Sequence, residues 1–383
     1  MGNNFQNISV IIPFNDSKEA LRKSLQSLIY QTLKPTEIIV VNSTQSDDLE
    51  EVINEYKNCI DVIDHHVDHA YPGKARNIGV SIANNDWIAF LDVQTTPDPD
   101  WLENVHKMCT EHKYDCVLGL TRIDASNYFQ RMLRAASYGR VDYPTIPGCI
   151  IKKDIYNTVG GFNENVRAGE DIEWRERLKK QGLLVGIPEA SLLNYKGLKN
   201  DVKSVIKKYF VAAYHTAHVD IQSNIKAFYF SIFIAFISII LIKWNSIIGW
   251  NEESLLYIPH ITKIYLLCIS LFLIFYHILN LFLKKLKINK TILNVLVIIF
   301  VILFSGLIFN WNRIFAKWVE DAVWYIPHIS KIYVSFLILV SVSFRGIIMP
   351  LKKKVQTSYL FPINWIFVGI LGLILDLTKA PGY

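Results

Sequence analysis

Short apolar runs alternate with amphipathic segments in the first part of the chain. Four runs predict buried strands, at 8–14, 37–43, 59–65 and 87–92. The segments between them favour helices, because their apolar residues recur at every third or fourth position. Strands that alternate with helices predict an α/β, Rossmann-like domain with a mostly parallel sheet, in which ligands bind at the carboxyl ends of the strands.

A second pattern begins near residue 225, where long apolar segments are separated by short loops. This composition is typical of an α-helical transmembrane domain. Five spans are predicted, at about 225–242, 264–283, 291–309, 332–349 and 359–377. The basic stretch before them favours an amphipathic interfacial linker, so the predicted domains are 1–198, 199–224 and 225–383.

The charge of the loops sets a predicted orientation for the spans. The loops 284–290 and 351–356 are basic, whereas 243–263 and 310–331 carry more acidic and aromatic residues. By the positive-inside rule, the basic loops and the amino-terminal domain lie in the cytoplasm. The sequence therefore predicts an integral protein of a prokaryotic plasma membrane, in contact with membrane lipids.

The two predicted non-cytoplasmic loops share an internal repeat. WNSIIGWNEESLLYIPHITKIY (244–265) recurs as WNRIFAKWVEDAVWYIPHISKIY (311–333), with an offset of 67 residues at the first Trp-Asn and of 68 after one inserted residue. One interpretation is a duplicated anchor without chemistry. The other is that His260 and His328 bind the head group of a lipid or glycan.

Composition excludes some classes of protein. The net charge of +6 is too small to favour nucleic acid as a partner, and the basic residues cluster beside apolar segments. Five cysteines show no CxxC motif, which favours reduced thiols. His65, His66 and His69 suggest zinc, but no compatible partner cluster accompanies them, so a polar strand exit is the favoured interpretation.

Five motifs in the amino-terminal part carry a family resemblance. They are ISVIIPFND (8–16), QTLKPTEIIVVNSTQSDD (31–48), GKARNIGV (73–80), FLDVQTTPDPDWLE (90–103) and GGFNENVRAGEDIEWRERL (160–178). In this order and spacing they resemble the family 2 glycosyltransferases, which have the GT-A fold. The resemblance implies a GT-A catalytic domain, a nucleotide-sugar donor and inversion at the anomeric carbon.

The motifs imply a set of donor-binding residues. Pro13 and Asn15 would border the base, unless they form only a strand-exit turn. Asn42 stands where the family typically has an Asp that accepts a hydrogen bond from the base, so base recognition is expected to differ. Lys74 and Arg76 begin a helix and suit an anionic diphosphate, with an ordinary helix-opening ion pair as the alternative.

A divalent cation, Mg²⁺ or Mn²⁺, is implied as cofactor. Asp92 would bind it and offset the charge of the departing diphosphate. Gln94 stands at the second carboxylate position of the Asp-x-Asp motif and offers a neutral carbonyl oxygen. Asn194 and Tyr195 stand where the family often has a His. We therefore expect a weakly held metal that water completes.

The acidic pair in GEDIEW is the candidate catalytic group. An inverting transfer needs one carboxylate to take the proton of the acceptor hydroxyl. Asp171 is the predicted base and Glu170 its positioning partner or alternate. The alternative is that both acids merely favour the amino-terminal end of the helix dipole.

The resulting hypothesis is a membrane-anchored, metal-assisted glycosyltransferase that acts on a lipid-linked or glycan acceptor hydroxyl, with a homo-oligomer left open. A close alternative is transfer to a polyprenyl phosphate. Gln94 favours that alternative, but an ionised phosphate needs no general base. A third alternative is a non-catalytic binding or scaffold protein with a degenerate donor site, which Asn42 and the missing His favour.

Overall fold

A computed structural model describes residues 7–15, 18–44, 49–219, 310–326 and 329–379 and isolated positions between 240 and 307. The chain divides into two units. The first unit consists mainly of Met1–Ile221 with Arg345–Leu375, and the second mainly of Gln222–Phe344. A late segment thus belongs with the amino-terminal domain. The predicted boundaries at 198 and 224 stay a prediction.

One sheet organises the first unit. Among the described residues its strands are β1 Ile8–Phe14, β2 Glu37–Asn42, β3 Asp61–His66, β4 Trp87–Phe90, β5 Thr95–Pro97, β6 Cys116–Ile123, β7 Tyr143–Lys152, β8 Val185–Gly186 and β9 Leu193–Tyr195. The order across the sheet is β3-β2-β1-β4-β7-β6-β9-β5, and β8 pairs with β6. The neighbours from β3 to β4 are parallel, whereas β4–β7, β7–β6 and β9–β5 are antiparallel. The sheet is therefore mixed, and the predicted mostly parallel arrangement holds for its first half.

Helices cover both faces of the parallel half. The helices of the amino-terminal domain are α1 Lys18–Ile29, α2 Glu50–Asn54, α3 Pro72–Ile82, α4 Trp101–Glu111, α5 Tyr128–Ser137, α6 Lys153–Val159, α7 Glu170–Lys180 and α8 Val202–Ala217. Successive residues of β1 point to opposite faces. Val10 packs with Leu25 of α1, and Ile11 packs in the core that contains Ala75 and Val80 of α3. Burial on both faces explains why β1 is a continuous apolar run.

The late segment of the first unit packs on the second half of the domain. The later helices are α9 Trp311–Phe315, α10 Ile329–Ser343, α11 Met349–Lys352, α12 Thr357–Leu360 and α13 Asn364–Lys379, and a π-helical turn, Phe344–Ile348, lies between α10 and α11. Leu371 and Leu375 of α13 join the core that Leu133 of α5 and Val205 of α8 form. The Tyr128 hydroxyl also donates a 2.8 Å hydrogen bond to Asn364 Oδ1.

The predicted fold class needs correction in its membrane part. Among the described residues, none of the helices combines the length and apolar character that a membrane crossing requires. The predicted spans 332–349 and 359–377 overlap α10, with 15 residues, and α13, with 16 residues. At about 1.5 Å per residue, α13 is shorter than the roughly 30 Å hydrocarbon core.

The predicted spans 225–242, 264–283 and 291–309 lie outside the described residues, apart from isolated positions. The absence of a membrane-crossing helix among the described residues contradicts the predicted transmembrane domain. It equally contradicts the predicted integral membrane localisation. The fold class that the structure supports is an α/β, GT-A-like domain with a mixed sheet.

The internal repeat has a structural counterpart. In each copy the first tryptophan donates from its indole nitrogen to the carbonyl oxygen of the residue before the Tyr-Ile-Pro-His sequence. These bonds join Trp244 to Leu256 at 2.6 Å and Trp311 to Trp324 at 2.9 Å. Asn312 and Ile326 exchange two further hydrogen bonds, of 2.8 and 3.0 Å. The two histidines, His260 and His328, lie outside the described residues.

Candidate active site

A cleft of about 310 Å³ lies at the carboxyl ends of the parallel strands. Residues that follow β1, β2 and β4 line it, together with residues before α3 and near β9. This is the edge of the sheet where open α/β domains bind ligands. Of the predicted donor residues, Pro13, Asn15, Asp92 and Gln94 line the cleft.

Asp92 and Gln94 belong to a tight turn between β4 and β5. The Thr95 backbone nitrogen donates to the Asp92 carbonyl oxygen at 2.8 Å, which closes the turn. The Asp92 side chain is 37% exposed, and its Oδ1 accepts a 2.9 Å hydrogen bond from Arg76 Nη2. The carboxylate is thus held at one oxygen while it remains accessible from the cleft.

Tyr195 holds Gln94 from the neighbouring strand. The antiparallel register pairs Thr95 with Tyr195, so the Tyr195 hydroxyl lies 3.2 Å from Gln94 Oε1 and bonds it. Lys208 of α8 donates in turn to the Tyr195 hydroxyl at 3.2 Å. A side chain at Gly197 would collide with both Gln94 Oε1 and the Tyr195 hydroxyl. Gln94 is therefore fixed by a packed hydrogen-bonded group.

Arg76 joins the donor side of the site to the acidic pair. It is 3% exposed, and its Nη1 donates to Glu170 Oε1 at 3.1 Å while Nη2 donates to Asp92. Burial lowers the pKa of the guanidinium, but Asp92 and then Glu170 outweigh that effect, so its pKa lies above the ordinary value. Arg76 is therefore charged and occupied by two carboxylates inside the protein.

Glu170 is a buried carboxyl, only 5% exposed. Burial raises its pKa from 4.5 to about 7; Arg76 lowers it, and the nearby charge of Asp171 raises it further. Glu170 Oε2 and Arg76 Nε are buried without a hydrogen-bond partner among the described residues. This buried pair is thus incompletely satisfied, which is common where a site is built for function rather than for stability.

Asp171 differs from Glu170 in its access to solvent. Its side chain is 34% exposed, and Arg175 Nη2 lies 3.8 Å from its Oδ2. Helix α7 starts directly after Gly169, whose φ of 93° is in the left-handed region that favours glycine. Asp171 therefore presents an accessible carboxylate in the first turn of a helix whose start is fixed.

Three predicted donor residues lie away from the cleft lining. Asn42 is 1% exposed, and its Oδ1 accepts hydrogen bonds from the Thr44 backbone nitrogen and hydroxyl at 3.1 and 2.6 Å. Ser43 lines the cleft in its place. Lys74 is half-buried and, like Arg76, does not contribute to the lining.

The motifs did not single out several residues of the cleft wall. Arg167, His69 and Tyr71 all line it. Tyr195, which stands in place of the family's His, lines it as well. The position of Arg167, shortly before GED, was a signal that could have identified it. No signal in the sequence showed that the loop before α3 would bring Tyr71 to the cleft.

The oxygen ligands of the cleft fit a divalent cation only when the phosphates of the nucleotide sugar supply further ligands. Asp92 and Gln94 supply oxygen atoms to the cleft, and the Gln94 oxygen already accepts a hydrogen bond. Within the described parts of the chain, no three His, Cys, Asp or Glu side chains group as metal ligands, and this includes His65 and His66 of β3 and His69 beyond it. Mg²⁺ commonly uses one or two carboxylates with substrate phosphates. Asp92 fits that pattern.

These features define a GT-A-like α/β domain with a cleft at its strand ends and an acidic pair, Glu170 and Asp171, joined to it through Arg76. Residues 9–163 match the family model described as "Glycosyl transferase family 2". The part of the chain from β1 to β7 is therefore similar to family 2 glycosyltransferases. The match bears out the predicted resemblance for this part of the chain and supports the predicted class of enzyme, a glycosyltransferase.

Named relatives match the same part of the chain. Glycosyltransferase AglE of Haloferax volcanii is 24% identical over 188 residues, which cover 46% of this chain and 62% of that protein. Glycosyltransferase GlyA of Streptococcus pneumoniae is 31% identical over 117 residues, which cover 29% of this chain and 16% of that protein. The chain thus spans less than two thirds of the length of either relative.

A solved structure, S. aureus TarS 1-349 in complex with UDP-GlcNAc, is similar at low identity. It is 16% identical, the match covers 86% of this chain and 92% of that chain, and the TM-score is 0.41. Similarity of this degree does not define the chemistry of the cleft, which is inferred from the residues of the cleft itself.

Proposed function

We propose that the protein transfers a sugar from a nucleotide-sugar donor to an acceptor hydroxyl, with inversion at the anomeric carbon. The observation that carries this proposal is the network in which Arg76 bonds both Asp92 and Glu170. It joins the donor cleft to the acidic pair beside it. A transferase needs these two groups at one place, since the carboxylate that activates the acceptor must face the bond that breaks.

The cleft suits the donor. Its volume of about 310 Å³ lies at the lower end of the range for small-molecule sites. Pro13 and Tyr71 give it apolar walls for a base or sugar ring, and Asn15 and Ser43 give it polar groups at the strand ends. The proposal names no particular nucleotide base, because the side-chain oxygen of Asn42 accepts a hydrogen bond from Thr44.

Asp171 is the proposed base, and Glu170 its positioning partner. Asp171 is accessible, whereas Glu170 is buried and bonded to Arg76. As the acceptor oxygen attacks the anomeric carbon, Asp171 would accept its proton, and the bond to the diphosphate oxygen would break on the opposite side. Glu170 and Arg76 would keep the start of α7 beside Asp92.

A divalent cation would be held by Asp92 with Gln94 nearby, and it would offset the charge of the departing diphosphate. The proposed acceptor is the hydroxyl of a glycan or of a lipid-linked glycan. A hydroxyl acceptor is favoured over a phosphate, because the accessible carboxylate of Asp171 has a role only when a proton must be removed.

Donor turnover tests the proposal. Purified protein is incubated with a panel of nucleotide sugars and Mn²⁺, and release of the nucleoside diphosphate is measured for the wild type, Asp92→Ala and Asp100→Asn. Asp100 is exposed and outside the cleft lining, so it is the control. We expect one donor to be turned over, with loss in Asp92→Ala alone. Absence of both binding and turnover for every donor would refute the proposal.

A further inference from the structure

A positive side chain beside the divalent cation favours a bound diphosphate, and the two basic residues predicted for this role, Lys74 and Arg76, do not line the cleft. Arg76 is 3% exposed, and both of its terminal nitrogens donate to carboxylates, of Asp92 and Glu170. Lys74 is half-buried and does not line the cleft. Beyond the proposed divalent cation, the two negative phosphates of a nucleotide sugar therefore gain no positive charge from either residue in the cleft.

Arg167 has the required position. Of the described residues that line the cleft, it is the one with a permanent positive charge. It is exposed, and no hydrogen bond or ion pair joins it to another described residue. Its charge reaches the rim of the cleft. Burial is the main cause of a lowered pKa at His215, and the charges of His218 and Arg167 add to it.

The ring of His215 in turn lies edge-on against Tyr71, with 5.4 Å between ring centroids, and Tyr71 lines the cleft. Two observations thus place the Arg167 guanidinium at the rim: Arg167 lines the cleft, and its charge lowers the pKa of His215. Since this side chain has no other partner among the described residues, an anion in the cleft would not have to displace one.

The backbone on both sides of Arg167 is anchored. Val166 is 3% exposed and packs against Val219, just beyond α8. Gly169 approaches α8 so closely that a Cβ atom there would lie 3.2 Å from Thr216 Oγ1. The main chain around Arg167 is therefore held, so little ordering of the loop is needed when the side chain binds an anion.

We propose that Arg167 is the diphosphate ligand of the donor cleft and that it couples donor binding to the position of the base. This inference rests on the proposed function. Guanidinium binds phosphate oxygens through paired, charge-assisted hydrogen bonds. Arg167 precedes Asp171 by four residues, across the anchored start of α7. A diphosphate that Arg167 binds would therefore fix the donor relative to Asp171.

Equilibrium binding tests the inference. Isothermal titration calorimetry with Mn²⁺ present compares uridine, guanosine, cytidine and adenosine with their 5′-diphosphates, and the tightest pair is then used for the variants. The variants are Arg167→Gln, Arg167→Lys, Lys74→Gln and, as the control, Arg122→Gln. Arg122 is an arginine with 58% side-chain exposure that pairs with Asp142 outside the cleft lining.

We expect Arg167→Gln to raise the Kd of the nucleoside diphosphate by about tenfold to a hundredfold, the effect of a lost hydrogen bond to a charged group. The Kd of the nucleoside should change by less than about twofold, because it lacks the phosphates. Arg167→Lys should recover part of the loss, since the charge remains. Lys74→Gln and Arg122→Gln should match the wild type.

An unchanged diphosphate affinity in Arg167→Gln would overturn the inference. So would an equal loss for nucleoside and diphosphate, because that would indicate general damage to the cleft. Both results would leave the proposed function standing. A wild-type protein that binds none of the four diphosphates would overturn the inference and the proposed function together.

Discussion

Glu170 is expected to make the stability of the first unit depend on pH. An unfolded Glu side chain ionises near pH 4.5, whereas burial raises the pKa of Glu170 in the folded protein to about 7. Between these values the folded state binds a proton that the unfolded state has released. The resulting stabilisation is fully present below about pH 4.5 and is lost as the pH rises through about 7.

The size of this effect follows from the same two pKa values. At about 1.4 kcal/mol per pH unit, the difference between 4.5 and about 7 corresponds to roughly 3 kcal/mol in the free energy of unfolding. The physical source is the cost of an ionised, buried carboxylate. Arg76 bonds one of its oxygens, while Oε2 has no hydrogen-bond partner among the described residues.

Glu170→Gln removes the titration while it keeps a polar side chain of the same length. Urea unfolding followed by tryptophan fluorescence is measured at several pH values between 4.5 and 8. We expect the variant to gain about 3 kcal/mol relative to the wild type across this range. The control is Glu176→Gln on the same helix, since Glu176 has no hydrogen bond or ion pair to the described residues. Parallel pH dependences of the unfolding free energy for the wild type and Glu170→Gln would show that Glu170 does not cause the loss of stability.

Three further changes test the geometry of the site. Gly169→Ala should lower the free energy of unfolding by about 1 kcal/mol or more, because its φ is 93°, and should also reduce donor turnover. The control is Gly182→Ala, which has a similar strain at φ 73° outside the cleft lining. It should lower stability but leave donor turnover unchanged. Gly197→Ala should raise the Kd of nucleoside diphosphate about tenfold, because the new Cβ collides with Gln94 and the Tyr195 hydroxyl; an unchanged Kd in calorimetry would contradict this. Gln94→Asp should tighten Mn²⁺ binding in the presence of nucleoside diphosphate, since it adds a carboxylate, and an equal Mn²⁺ affinity would count against Gln94 as part of the metal site.

The parallel half of the sheet was predictable from the sequence. β1, β2 and β4 are buried on both faces and appear as mainly apolar runs, whereas the edge strand β3 is partly exposed, and the four predicted runs match β1 to β4. The antiparallel half was not, because β5, β8 and β9 have two or three residues each and no periodicity that a pattern could show. These short strands bring Tyr195 beside Gln94.

Residue type alone did not predict the roles of the basic residues Lys74 and Arg76. Lys74 and Arg76 stand at a helix start that suits an anion, but the fold buries Arg76 between two carboxylates from distant parts of the chain. Asn42 shows the same limit, since a local turn with Thr44 occupies its side-chain oxygen. In the carboxyl-terminal half, apolar composition predicted long spans where the described helices have 15 and 16 residues.

Asp171 is proposed to take the acceptor proton in a transfer from a nucleotide sugar bound beside Asp92. Donor turnover and nucleoside diphosphate affinity, measured on Asp171→Asn with Glu176→Gln as the control, test it most directly. We expect Asp171→Asn to leave the affinity unchanged and to lower turnover by about a hundredfold to ten-thousandfold, the usual effect of losing a general base. Full turnover in Asp171→Asn would contradict it.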